Sequence, residues 1–387
     1  MSDLARMREL SNAVGIVGVD ESDEIGILPG KSQLTLHLEA ITNALRDAGL
    51  SPKDVDGIFT AGQHSPALLG EALGVTPRYV DGTTVGGCSF IIMVEHAAAA
   101  LHHGLCDVAV ISHGESGRSQ AGVSPRRDTS ITGPYEIPFG FGAAPTNFCM
   151  ITTRHMHEYG TTLEQWAQVA VSTRAWACLN PKAMYRKPIT IDDVLTSRPV
   201  VYPFNLLNIC LVTDAGGAVV LTRADRARNG AKKPVYVRGM GEGTEHVSVT
   251  QMKRLPFSEA TRISGARAFA MAGVTPRDID HIMLYDAFTS GPPLMLEALG
   301  VAKPGEGVHF FEEGRSTPGG SLPINTNGGG LSYTHSGMYG IFPIIESVRQ
   351  LRGECGARQV PNVRRSLVNG MGGMLSAAGT LVLSNER

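Results

Sequence analysis

Two residues of this 387-residue chain have the types and the settings that covalent catalysis uses, Cys88 and His335. Cys88 follows Gly86-Gly87 and precedes an apolar, alanine-rich stretch that predicts a helix to about His103. His335 follows Gly328-Gly329-Gly330 and a short link, and precedes a second helical stretch that reaches about Arg352. A thiolate, not a thiol, is the nucleophile, and a helix start stabilises that anion through its dipole and unbonded N–H groups. A histidine within reach takes the thiol proton and later returns it. Glycines ahead of the cysteine let the backbone approach a substrate closely, and N–H groups there can hold a carbonyl oxygen as charge develops on it.

A cysteine or histidine met singly is more often a core residue than a catalyst. The other five cysteines, at 106, 149, 178, 210 and 355, form no C-x-x-C pair and read as small buried hydrophobes. That gives a structural zinc site little support, and no metal is expected. The paired histidines His102-His103 and His155/His157 read as structural. Duplication is what separates Cys88 and His335 from these.

Ala48-Gly49-Leu50-Ser51-Pro52-Lys53-Asp54-Val55-Asp56-Gly57-Ile58 returns as Ala272-Gly273-Val274-Thr275-Pro276-Arg277-Asp278-Ile279-Asp280-His281-Ile282, and Glu71-Ala72-Leu73-Gly74-Val75 as Glu297-Ala298-Leu299-Gly300-Val301. Two matches in the same order at nearly one offset make the chain two related halves, 1–225 and 226–387. Apolar spacing over Leu34 to Ala48 predicts a helix capped by Gly49, and Asp56 to Thr60 a strand. In the second half the helix is Ile263 to Ala272 and the strand His281 to Tyr285. Strands after the two catalytic helices are expected at Asp107 to Ile111 and Ser366 to Asn369. The alternation argues for a mostly parallel sheet covered on both faces. Residues from about 115 to 203 have no echo and read as an inserted loop domain, with a helix starting near Leu163 and a Gly-, Pro- and aromatic-dense run over 133–145. Such insertions carry substrate contacts. Under pseudo-two-fold symmetry the two halves would bring Cys88 and His335 to equivalent, facing helix starts.

Composition narrows the class. Apolar residues are 42% and charged residues 18%, the balance of a well-buried globular enzyme. A formal net charge of −2 without basic–aromatic runs argues against nucleic acid. Met1 to Leu10 carries two acids, and no apolar stretch nears the length of a membrane span, so a soluble cytoplasmic protein is the expectation.

Val85-Gly86-Gly87-Cys88-Ser89 and Asn325-Thr326-Asn327-Gly328-Gly329-Gly330 through His335-Ser336-Gly337 resemble the nucleophile loop and the catalytic-histidine segment of the thiolase superfamily. The likeness is closest to its sterol-carrier-protein-type (lipid-transfer-protein-like), acetyl-CoA acetyltransferase-like branch. Tyr159-Gly160-Thr161-Thr162, Asn180-Pro181 and Thr213-Asp214-Ala215-Gly216-Gly217-Ala218 match further segments of that branch, so nearly the whole chain is covered. The resemblance implies an α/β thiolase fold, two βαβαβαββ halves in five αβαβα layers. It implies acyl transfer through a Cys88 thioester with coenzyme A as carrier and His335 as activating base. The loop Asn369-Gly370-Met371-Gly372-Gly373 would give a second backbone donor at Gly372 and Gly373, and Tyr159 would touch CoA. A homodimer or tetramer is implied as well.

Three departures stand out. Asn369 occupies the position where many thiolases carry a second cysteine that moves the α-carbon proton, and asparagine has none to move. Tyr285-Asp286-Ala287-Phe288 has Tyr285 where the family motif has Asn or His, which makes Tyr285 the leading replacement acid. His335-Ser336 replaces His-Pro, and Pro343 implies a kink or irregular start in the following helix. The expected activity is thiolysis of a β-ketoacyl-CoA or the reverse Claisen condensation. The alternatives are a specialised C-acyltransferase or carbon–carbon lyase working with a small zinc-ribbon/OB-fold (DUF35-like) partner, and a non-catalytic thiolase-like subunit.

Overall fold

The computed structural model describes residues 7–62, 64–123, 132–141 and 144–387. The first six residues and parts of the 115–203 insertion, including two positions of the 133–145 run, lie outside the described residues.

The first half runs β1 (Val14–Glu21), α1 (Gln33–Ala48), β2 (Gly57–Thr60), α2 (Pro66–Leu73), β3 (Tyr79–Asp81), α3 (Ser89–His102) and β4 (Val108–Ser116). The insertion follows with α4 (Ala144–Tyr159), α5 (Leu163–Cys178) and a small hairpin, β5 (Pro199–Val201) and β6 (Phe204–Asn205). Then come β7 (Asp214–Arg223), β8 (Val235–Thr244), α6 (Glu259–Ala272), β9 (His281–Leu284), α7 (Gly291–Ala298), α8 (Ile341–Arg352), β10 (Arg365–Gly372) and β11 (Ala377–Ser384).

The repeated segments fold alike because they carry the same local signals. Ser32 caps α1 and Ser258 caps α6 by accepting N–H bonds, and both helices end on a glycine at positive φ, Gly49 and Gly273. Ser51 with Asp54, and Thr275 with Asp278, then form capping boxes at the same place. Asp56 accepts from the N–H groups of Asp107 and Val108, and Asp280 from those of Arg364 and Arg365. Each aspartate thereby locks the start of β4 or β10 beside the repeated strand.

Strand order is β3-β2-β4-β7-β1-β8-β11-β10-β9. Read from their outer strands inward, β2-β4-β7-β1 and β9-β10-β11-β8 have the same sequence of one parallel and two antiparallel pairings. The halves join through only two residue pairs of β1 and β8. Helix α1 packs on β1, β7 and β4, and α6 on β8, β11 and β10, while α3 and α8 touch strands of both halves. The result is five layers, αβαβα, with α3 and α8 in the middle. Helix α3 is buried on nearly all sides, as its Phe90-Ile91-Ile92-Met93-Val94 and alanine run require.

Two sequence expectations need correcting. The sheet is not mostly parallel: β4, β7, β1, β8, β11 and β10 pair antiparallel in succession. In the second half β10 and β11 form a direct hairpin, and in the first the whole insertion lies between β4 and its antiparallel partner β7, so helix–strand alternation does not reveal the pairing. Nor does the helix after His335 begin there. It begins at Ile341, placing Pro343 in the first turn, where its missing N–H costs nothing. No helix among the described residues is long and apolar enough to cross a membrane.

Candidate active site

Cys88 is the N-cap residue of α3, and Gly340 the N-cap of α8. These two helix starts meet: a Cβ on Gly340 would stand 2.1 Å from the Gly87 carbonyl oxygen and 3.7 Å from Cys88 Cα. So the partner of Cys88 across the two-fold is Gly340, and His335 lies five residues ahead of it.

Glycines allow three segments to interlock around the sulfur. Gly86, at φ +87, has no room for a side chain because Gly373 N is 2.4 Å from the Cβ position. A Cβ on Gly87 would enter the Tyr285 ring, and one on Gly372 would stand 2.7 Å from Cys88 Sγ. The sequence-expected residues Cys88, Tyr285, Gly372 and Gly373 are therefore brought together. The thiol is fully buried, and that burial pushes its pKa up to about 12, with the N–H groups of Cys88 and Gly379 pulling against the rise. Its weak hydrogen-bond contact is Val85 O at 4.0 Å.

His335 joins through Tyr285, whose hydroxyl lies 2.9 Å from His335 Nε2. The same oxygen accepts from Tyr339 N at 3.0 Å. With that N–H arriving, the phenol proton is free to point at the imidazole, an arrangement in which Nε2 accepts. Burial holds His335 down to about 4, so the ring is neutral near pH 7. Its backbone is clamped by Thr213, through His335 N to Thr213 Oγ1 (3.1 Å) and Thr213 N to His335 O (3.3 Å). His113 Nε2 donates to the next carbonyl, Ser336 O, at 2.7 Å. Burial also raises Tyr285, and lifts Asp286 to about 7 against donation from the N–H groups of Gly330 and Leu331.

Asn369 sits in β10 with its amide turned into the β10–β11 ladder, donating to Gly379 O (3.1 Å) and Thr380 Oγ1 (2.8 Å). The backbone carbonyl of Asn369 takes Tyr285 N at 3.1 Å. Tyr159 belongs to another neighbourhood, at the end of α4: its hydroxyl accepts from Arg254 Nη2 (3.1 Å) and its ring packs against Gly305 and His155. His155 is structural, bonded to Thr161 and Glu297. Tyr339, His113 and Cys210 were not singled out by sequence. Cys210 lies three residues before the Thr213-Asp214 motif, the one signal that could have drawn attention to it.

Residues 241–385 match the family model described as thiolase C-terminal domain-like. The chain is 35% identical to the 17-hydroxy-3-oxo-4-pregnene-20-carboxyl-CoA lyase of Mycobacterium tuberculosis, covering 89% of this chain and 92% of that protein. It is 30% identical to the acetyl-CoA acetyltransferase of Methanothermobacter thermautotrophicus, over 96% and 99% of the two chains. Among solved structures, the Ltp2-ChsH2(DUF35) aldolase superposes with a TM-score of 0.91 at 32% identity, over 98% and 99% of the chains. Fold, site and relatives define an enzyme of the thiolase superfamily. Within it, the chain belongs to the sterol-carrier-protein-type branch.

Proposed function

We propose that this enzyme breaks or makes the Cα–Cβ bond of an acyl-CoA, through an acyl thioester on Cys88. The observation that carries the reading is the assembly at the two helix starts, with Tyr285 lying over Gly87, the residue before Cys88, and bonded to His335. Thiol and imidazole are both neutral at rest. The thiolate therefore forms as it attacks, with the proton moving to His335, instead of standing as a stored ion pair. Sulfur attacks C3 of a β-ketoacyl-CoA, the Cα–Cβ bond breaks, and the departing enolate takes a proton. The thiol of a second CoA then accepts the acyl group from Cys88. Donors for the substrate oxygen are Tyr285, His335 and the N–H groups near Gly372 and Gly373. Tyr159 at the end of α4, with Arg254 bonded to it, is the proposed CoA contact.

A second reading, retro-aldol cleavage of a β-hydroxyacyl-CoA, is favoured by the Tyr285–His335 bond and by Asn369, whose amide is tied into the ladder and carries no titrating proton. There the pair removes the C3 hydroxyl proton, the same bond breaks, and a carbonyl product leaves. The chain's likeness to the lyase and to the aldolase supports it, and the DUF35 component of that aldolase supports a small DUF35-type partner for this chain too. We further infer a cytoplasmic homodimer or tetramer. The test is a panel of β-keto- and β-hydroxyacyl-CoAs, with and without such a partner, followed by product analysis and intact protein mass. An acyl adduct on Cys88 with ketoacyl substrates supports thiolysis. Cleavage of hydroxyacyl substrates without adduct supports the lyase, and neither result leaves a non-catalytic subunit.

A further inference from the structure

The proposed chemistry needs a group to exchange a proton with the substrate α-carbon. Asn369 has no such proton, and the Tyr285 hydroxyl is engaged by Tyr339 N and His335 Nε2. Another cysteine, Cys210, lies in a segment paired with the Tyr285 motif. Residues 209–213 run between the Tyr285–Phe288 motif and the segment that carries His335. Ile209 pairs antiparallel with Phe288, Cys210 N donates to Ala287 O at 2.8 Å, Leu211 N to Gly330 O at 2.9 Å, and Thr213 N to His335 O at 3.3 Å. Cys210 thus stands opposite Ala287, two residues from Tyr285, in an extended segment bonded on one side to the Tyr285–Phe288 motif and on the other to the segment that carries His335.

We propose that Cys210 is the second thiol of this active site, giving a proton to the α-carbon when the Cα–Cβ bond breaks and taking one when it forms. The assignment rests on the reading above and deepens it. In cleavage, the enolate of the shortened acyl-CoA takes the Cys210 proton, leaving a thiolate. The CoA thiol that attacks the Cys88 thioester gives its proton back to Cys210, so protons and electrons balance over the cycle. The environment agrees with a donor: burial and Asp286 keep Cys210 protonated, with a pKa near 12, and its sulfur in turn is felt by the Tyr285 phenol. In this assignment Cys88 takes the acyl group and Cys210 serves the α-carbon.

Hydrogen–deuterium exchange at the methyl group of acetyl-CoA in D2O isolates this step, and intact mass of the full chain after incubation with acetyl-CoA reads acylation of Cys88 separately. Cys210→Ala and Cys210→Ser should slow exchange by about 100-fold or more while Cys88 acylation stays within a few-fold of wild type. Tyr285→Phe, run alongside, should retain measurable exchange. Exchange in Cys210→Ala at the wild-type rate overturns the proposal, and so does a parallel loss of acylation and exchange in both cysteine variants. A wild-type protein that acylates but never exchanges also overturns it. If wild type neither acylates nor exchanges, the underlying thioester reaction fails and this assignment with it.

Discussion

At Cys88 the sulfur is buried among glycines with its proton retained, and Tyr285 beside it is bonded to a neutral imidazole, His335. Replacing Cys88 with serine changes one atom in a space already filled, so the fold should persist. An alkoxide is far harder to form than a thiolate, and acyl-enzyme detected by intact mass should vanish. Full labelling of Cys88→Ser would place the nucleophile elsewhere. His335→Ala should slow acylation of Cys88 by about 100-fold or more in a single-turnover assay, since the proton acceptor is gone. Unchanged acylation would disconnect the two residues. Tyr285→Phe leaves His335 Nε2 and the Tyr339 N–H without their shared partner. Turnover should drop steeply, and stability by roughly 1–3 kcal/mol for the stranded buried groups, measurable by urea titration.

Secondary-structure elements are held in register by small residues as much as by large ones. Under α6, successive glycines of β8 face the helix backbone: Cβ atoms on Gly239, Gly241 and Gly243 would approach the carbonyl oxygens of Ala268, Ser264 and Ala260 to 2.1, 2.3 and 2.3 Å. Gly18 and Gly216 meet α1 in the same way. Each outer helix therefore lies unusually deep on its sheet, and a methyl group there has only backbone to push against. Gly241→Ala should destabilise by about 1–3 kcal/mol through overpacking, seen as a lower urea midpoint. An unchanged midpoint would mean that α6 can ride outward freely. Much of this layer was legible in sequence, because caps and capping boxes are local signals. The start of α8 was not, because the irregular turn over Gly329–Tyr333 and the link to Gly340 are set by contacts with Asp286, Thr213 and His113 from distant segments.

Across the molecule, several histidines are buried neutral. His113, His281 and His335 are each held down to about 4, and His37 well below its ordinary value, chiefly by loss of solvation. In the unfolded chain they take up protons near pH 6.5, while the native state refuses them until about pH 4. Stability from this source is complete above pH 6.5 and is lost as pH falls from there toward 4. Asp286 has the opposite sign: its native pKa of about 7 makes stability fall as pH rises from about 4 to 7. Asp20, Glu95 and His96, also raised, share that sign, but the four histidines act together with carboxylates held low by their partners, Glu21, Asp47, Asp81 and Glu346, and this larger set controls the slope. The urea midpoint should therefore decline between pH 6.5 and 4, and a flat profile would show that these rings are charged in the native protein.

The sequence by itself determined the duplication, the caps that begin and end its helices, and the glycine-flanked Cys88 as a residue with a chemical setting. Those are properties of neighbouring residues, and neighbours in sequence act on one another whatever the rest of the chain does. It also marked His335 and Tyr285, but could not join them. Only the tertiary structure decided that the helix starts meet at Gly87 and Gly340, that Tyr285 lies over Gly87 with its hydroxyl on His335, and that Asn369 spends its amide inside the ladder. It also decided that Cys210, one of five cysteines read as core, pairs through its backbone with Ala287, beside the motif that carries Tyr285. Hydrogen bonds and desolvation depend on what long-range packing brings within a few ångströms, and no local pattern specifies that.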